Sequence, residues 1–146
     1  MSLPISSVQY TTSKLLSTVG MYMIAWLTLV IAAIWLIAGA RVLPLGVIPM
    51  ALILLTFPFI GMCFVTAVTM VGETEGWNIA ANVVSNSTYG LTWYFITRTP
   101  SLMHDLPGKV PVWNTAVTTF LVSEFALIAV ILALTYYLQA RKTDFV

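Results

Sequence analysis

The sequence predicts an all-α membrane protein, a bundle of four transmembrane helices, with three spans plus one amphipathic or re-entrant helix as the alternative. Three observations carry this. Only 8% of the residues are charged and 60% are hydrophobic, whereas a soluble domain carries about 25% charged residues to cover its surface. Several apolar stretches reach the ~20 residues needed to cross a bilayer. Short polar or proline-rich segments separate them. The 146 residues form a single integral membrane domain, residues 1–146, with spans at about 19–40, 46–71, 77–97 and 113–139 and a loop at 98–112.

The first span, VGMYMIAWLTLVIAAIWLIAGA, holds no charge; Lys14 precedes it and Arg41 ends it. Its Ala38-Gly39-Ala40 resembles a signal-peptide cleavage site. The apolar stretch exceeds the usual ~7–15-residue signal core, so it reads as a retained span. The second span, residues 46–71, has Pro44 and Pro49 around its start and Pro58 in its middle. A mid-helix proline removes a backbone donor and crowds the preceding turn, so a kink is expected at residues 54–58. Thr56 is expected to cap the freed carbonyl. The kink is read first as a packing shape, with a mobile hinge as the functional alternative.

Residues 72–76, Gly-Glu-Thr-Glu-Gly, read as a tight polar turn, with Glu73 and Glu75 solvated. Trp77 follows as an interfacial anchor. Residues 77–97 carry no charge but are weakly hydrophobic. On a helix, Asn78, Asn82, Ser85, Asn86 and Tyr89 share one stripe, while Ile79, Val83, Val84, Leu91 and Phe95 fall largely elsewhere. The short turn before this segment favours an antiparallel span whose polar stripe faces the bundle interior. Asn86-Ser87-Thr88 is a glycosylation sequon, which has no meaning inside a span.

Residues 98–112 hold three prolines and a glycine and read as a loop, with His104 and Asp105 solvated. The last span is bracketed by Trp113 and by Tyr136 and Tyr137. Basic residues divide three against three between the two sides of a four-span bundle, so charge does not set the orientation; both termini share one side.

Glu124 is the sharpest feature of the chain. It is the one charge in the last span and lies near its centre. A carboxylate there costs roughly 2.5–3.5 kcal/mol on insertion scales, which by default marks a functional site or a buried polar partner. With no basic residue at membrane depth, the group either carries a proton or accepts hydrogen bonds from neutral groups or another subunit. Glu124 and Asn86 each lie twelve residues from the 98–112 loop, on its two sides. The expected partner is therefore the Asn82/Ser85/Asn86 group, as assembly glue first and as an ion relay second.

Other chemistry is absent from the residue inventory. One cysteine and one histidine supply neither a disulfide, a metal centre nor a two-histidine haem. Cys63 reads as a packing residue. No phosphate loop, serine–histidine pair or paired-carboxylate site occurs, so no catalytic, cofactor-binding or metal site is expected. A net charge of +1 gives no case for nucleic acid. The expected function is a non-catalytic accessory subunit of a multi-subunit membrane complex, respiratory or otherwise energy-converting. The alternative is a small homo-oligomeric proton or cation transporter that uses Glu124. The expected partners are membrane lipids and other membrane subunits, with lipid or quinone contact as the only cofactor role.

Overall fold

The computed structural model describes residues 7–72 and 75–141. All regular structure among them is helical. α1 (Ser7–Ile34) runs on into a π turn at Trp35–Gly39, and a 3-10 turn at Leu45–Val47 leads into α2 (Ile48–Gly72). α3 (Glu75–Arg98), a short α4 (Pro100–Met103) and α5 (Thr115–Ala140) follow.

Three of these helices are long and apolar enough to cross a membrane: α1 with its π turn, α2 with its 3-10 turn, and α5. The 24-residue α3 has the length, roughly 36 Å at 1.5 Å per residue, but its asparagines, serines and threonines leave it short of that apolarity. Two further expectations are revised. α1 begins well before residue 19, because Gln9 to Thr18 continue the helix without a breaker. The 98–112 loop contains α4, which Pro100 starts from its first helical position, where the missing N–H is harmless. Glu73 and Thr74, half of the expected polar turn, lie outside the described residues, as does Lys142.

α2 is the hub, packing on α1, α3 and α5. Its buried positions include Met50, Ile53, Thr56, Ile60, Cys63 and Met70. Two apolar clusters set the directions. Met50 and Ile53 pack with Ile96, Leu102 and Val117, flanked by Phe120 and Leu121. Phe59, Ile60 and Cys63 pack with Ile128, flanked by Ile131 and Leu132. α5 therefore runs parallel to α2. At the far end the Gln139 side-chain amide donates to the carbonyl of Met70, in the last turn of α2, where helix carbonyls lack internal partners.

α3 returns antiparallel along α2. The Ser85 hydroxyl lies against Gly61, where a Cβ would sit 2.6 Å from it. The Tyr89 and Phe57 rings meet edge-on at 4.6 Å, and Ile96 is fully buried beside Met50 and Ile53. The face of α3 turned to α2 is thus Ala81, Ser85, Thr92 and Ile96. Elsewhere the bundle is inverted relative to a soluble protein: Leu16, Ile24, Ile31, Leu91 and Val122 are exposed. Such an apolar exterior is consistent with lipid as its surroundings.

The connector between α3 and α5 is a built cap. Asn114 accepts from the Val117 N–H at 2.9 Å and so caps α5. Its amide nitrogen donates to the Ser101 carbonyl at 2.6 Å and to Asp105 at 3.3 Å. Asp105 also meets His104 at 3.1 Å. The pair expected to be solvated is split, with His104 exposed and Asp105 half-buried in this network. Gly46 N–H donates to the Gly108 carbonyl at 2.9 Å, fixing the connector onto the start of α2. A Cβ at Gly46 would collide with the Asp105 carbonyl. Gly46→Ala should therefore lower stability by about 1–3 kcal/mol, and Asn114→Ala by about 1 kcal/mol through the lost cap. Detergent-titrated unfolding of the two variants checks both; unchanged midpoints would remove the cap from this account.

Candidate functional site

The residues with chemistry at membrane depth fall into an inner set and an outer set. The inner set is Glu124 and Thr56. Ile53 shares one cluster with Leu121, and Ile60 shares the next with Ile128. Thr56 and Glu124 fall between these on their parallel helices, at one level of the α2–α5 seam. Both are buried, with 6% of Glu124 and none of Thr56 exposed. Neither carboxylate oxygen of Glu124 nor the Thr56 hydroxyl has a hydrogen-bond partner among the described residues. The Trp26 indole N–H is likewise buried and unpaired. Its ring stacks on Phe59 and meets Phe125, the neighbour of Glu124, edge-on, both at 6.0 Å.

This corrects two expectations. Glu124 makes no hydrogen bond to Asn82, Ser85 or Asn86. The reason is topological: α3 and α5, the long helices on either side of the connector, each pack on α2 rather than on one another. Of the three, Ser85 alone turns inward, and it is spent against Gly61. Thr56 caps no carbonyl freed by Pro58. Its hydroxyl is unpaired, although Thr28, Thr66 and Thr135 each donate to the carbonyl one turn back at 2.7–2.8 Å. α2 runs unbroken through Pro58, whose ring lies on the outer side of the helix.

The outer set was expected to line the interior. Asn78, Asn82 and Asn86 are exposed. Asn82 donates its amide to the Asn78 carbonyl at 2.8 Å, and Ser87 and Thr88 donate to carbonyls one turn back. Ser85 faces Gly61 at the middle of α2, so Asn86 lies at mid-depth of the bundle. On α5, Thr115, Thr118, Thr119 and Ser123 are also exposed and, with Trp113 and Val122, line a shallow hollow of about 400 Å³.

A third feature is an apolar groove of about 410 Å³ between α2 and α5, lined by Phe64, Val68, Trp77, Leu134, Thr135 and Leu138 among others. Its one hydroxyl, on Thr135, is given to the Ile131 carbonyl. The groove offers shape and dispersion contact, the chemistry of an acyl chain. No group of three or more His, Cys, Asp or Glu among the described residues can hold a metal, and Cys63 is buried in the core. Comparison with protein-family models, curated proteins and solved structures finds no match.

The energetics of the inner pair are testable. A buried polar group without a partner carries its desolvation penalty uncompensated, about 1–3 kcal/mol. Glu124→Met and Thr56→Val keep the shape and remove the polar atoms. Each should leave unfolding in detergent unchanged or raise stability, by up to about 1–3 kcal/mol. A marked loss for either would mean that the group makes a structural hydrogen bond.

Proposed function

We propose that the chain is a four-span, non-catalytic subunit of a larger membrane assembly, docked through the outward polar face of α3. The observation that carries this reading is the position of Asn82 and Asn86, exposed at mid-depth on the outside of the bundle. Asn82 gives one amide N–H to the Asn78 carbonyl, but an amide has four hydrogen-bonding positions, and those facing hydrocarbon lose their water partners without replacement. A polar face at that depth is therefore satisfied by another protein helix. The exposed hydroxyls in the first turns of α5, of which Thr118 is given to the Asn114 carbonyl, form a second polar face nearer the end of the bundle.

Direction supports the fourth span. α2 and α5 run parallel. If both cross the membrane, the chain between them returns to the side where α2 began, and α3 lies antiparallel along α2 over that distance. Its low apolarity is then the signature of a helix that neighbours shield from lipid. A non-catalytic role fits a chain with few groups able to do chemistry and little mass outside the membrane.

Native mass spectrometry after gentle extraction from the source membrane tests the reading. The expected result is this chain with other subunits at fixed stoichiometry. The double variant Asn82→Leu/Asn86→Leu should keep its helicity and lose those partners. Recovery of the chain only with copies of itself would replace the subunit reading with the homo-oligomeric transporter.

A further inference from the structure

We infer that Glu124 is a proton-binding site, closed inside the α1–α2–α5 seam, with Thr56 as its positioning residue. The inference is independent of what docks on α3. It rests on geometry at one level of the bundle. The Glu124 carboxyl is 6% exposed with two unpaired oxygens, and the fully buried Thr56 hydroxyl is unpaired at the same level on the facing helix. The Trp26 indole N–H is unpaired on the third helix.

A carboxylate at this depth needs a counter-charge. The polar and titratable groups near this level on the packed elements supply none: Tyr22 and Trp26 on α1 and Cys63 on α2, in or against the neighbouring cluster, Thr56 on α2, and Tyr89 on α3, against Phe57. Lys14, Arg41, Arg98, Lys109 and Arg141 are all exposed, towards helix ends or in connectors. A bound proton neutralises the group without a counter-charge or a cavity, and no cluster of three or more His, Cys, Asp or Glu able to hold a metal occurs among the described residues.

Thr56 marks the site as more than a tolerated defect. A threonine in an apolar helix ordinarily gives its hydroxyl to the carbonyl one turn back, as Thr66 does to Met62 ten residues along the same helix at 2.8 Å. Thr56 withholds it. The turn it occupies is the one where Pro58 removes a helical N–H, so this part of α2 can adjust with less backbone loss than any other. As the seam stands the two groups are not hydrogen-bonded; in the acid form the Glu124 O–H is a donor at this level, and the Thr56 oxygen is an acceptor that a small adjustment of the α2 turn would bring to it. When the O–H bond breaks, its electron pair stays on the carboxylate, and the Thr56 O–H and Trp26 N–H become the donors at that level.

The test uses the full chain in lipid nanodiscs. The sequence has only five acidic side chains, so a protonated-acid carbonyl band in the infrared at neutral pH is readily assigned. The expected result is such a band that Glu124→Gln abolishes, that Thr56→Val shifts and that Thr66→Val leaves in place. Dicyclohexylcarbodiimide provides a second readout. It takes the acid proton on nitrogen while the carboxyl oxygen bonds its central carbon, and the adduct rearranges to a stable N-acylurea. Peptide mapping should find Glu124 labelled several-fold more than Asp105, with the excess lost at alkaline pH. Absence of the band in the wild type, or labelling of Glu124 no greater than of Asp105, overturns the inference. Both readouts on the wild type stand even where Glu124→Gln fails to fold.

Discussion

The parallel packing of α2 against α5 is the constraint on which the rest of the molecule depends. It holds Thr56 and Glu124 at one level between two apolar clusters. It places Gln139 where its amide reaches the last turn of α2. It also obliges the chain between them to travel back along α2, which α3 does. The same geometry makes the α3–α5 connector return to the start of α2, where Gly46, Asp105 and Asn114 lock it in place. Side-by-side parallel helices from one chain require such a return path, and a 24-residue helix is the simplest element of that length.

Lipid as solvent reverses the usual accounting of inside and outside. Apolar side chains on the exterior of α1 and α5 need no explanation. Polar ones do. Most settle locally: serine and threonine hydroxyls return to backbone carbonyls of their own helix, and Asn82 does the same with its amide. Glu124, Thr56 and Trp26 remain unpaired inside, while Asn86 and the hydroxyl face of α5 lie outside. Two different demands are proposed, a proton for the inner group and a protein neighbour for the outer one. They separate in space, with the core of α2 between them, and they support separate proposals for the same chain.

The helical class, the apolar character of α1, α2 and α5 and the prominence of Glu124 were legible from residue type alone. Hydrophobic length and isolated charge are one-dimensional quantities, and the bilayer reads them directly. Helix periodicity likewise identified a polar face on the segment that became α3. The inward turn of Ser85 and the outward turn of Asn82 and Asn86 were not legible, because periodicity defines a face without saying which neighbour meets it. The structural work of Asp105 and Asn114 was hidden for a similar reason. An Asn thirteen residues from Ser101 signals a helix cap only once the connector has folded back onto it.

What the sequence by itself determined is therefore the solvent: a chain so apolar, with its few charges apart from Glu124 towards the ends of long uncharged segments, fits lipid in place of water. Only the tertiary structure decided who faces whom. Consecutive helices were expected to pair, which would have brought Glu124 to the asparagines of α3. The parallel α2–α5 seam instead put α2 between them and left Glu124 unpaired at the level of an equally unpaired Thr56. The physical reason is that the seam buries two contiguous apolar clusters along the most apolar helix, whereas α3 offers α2 mainly small and polar contacts below Ile96.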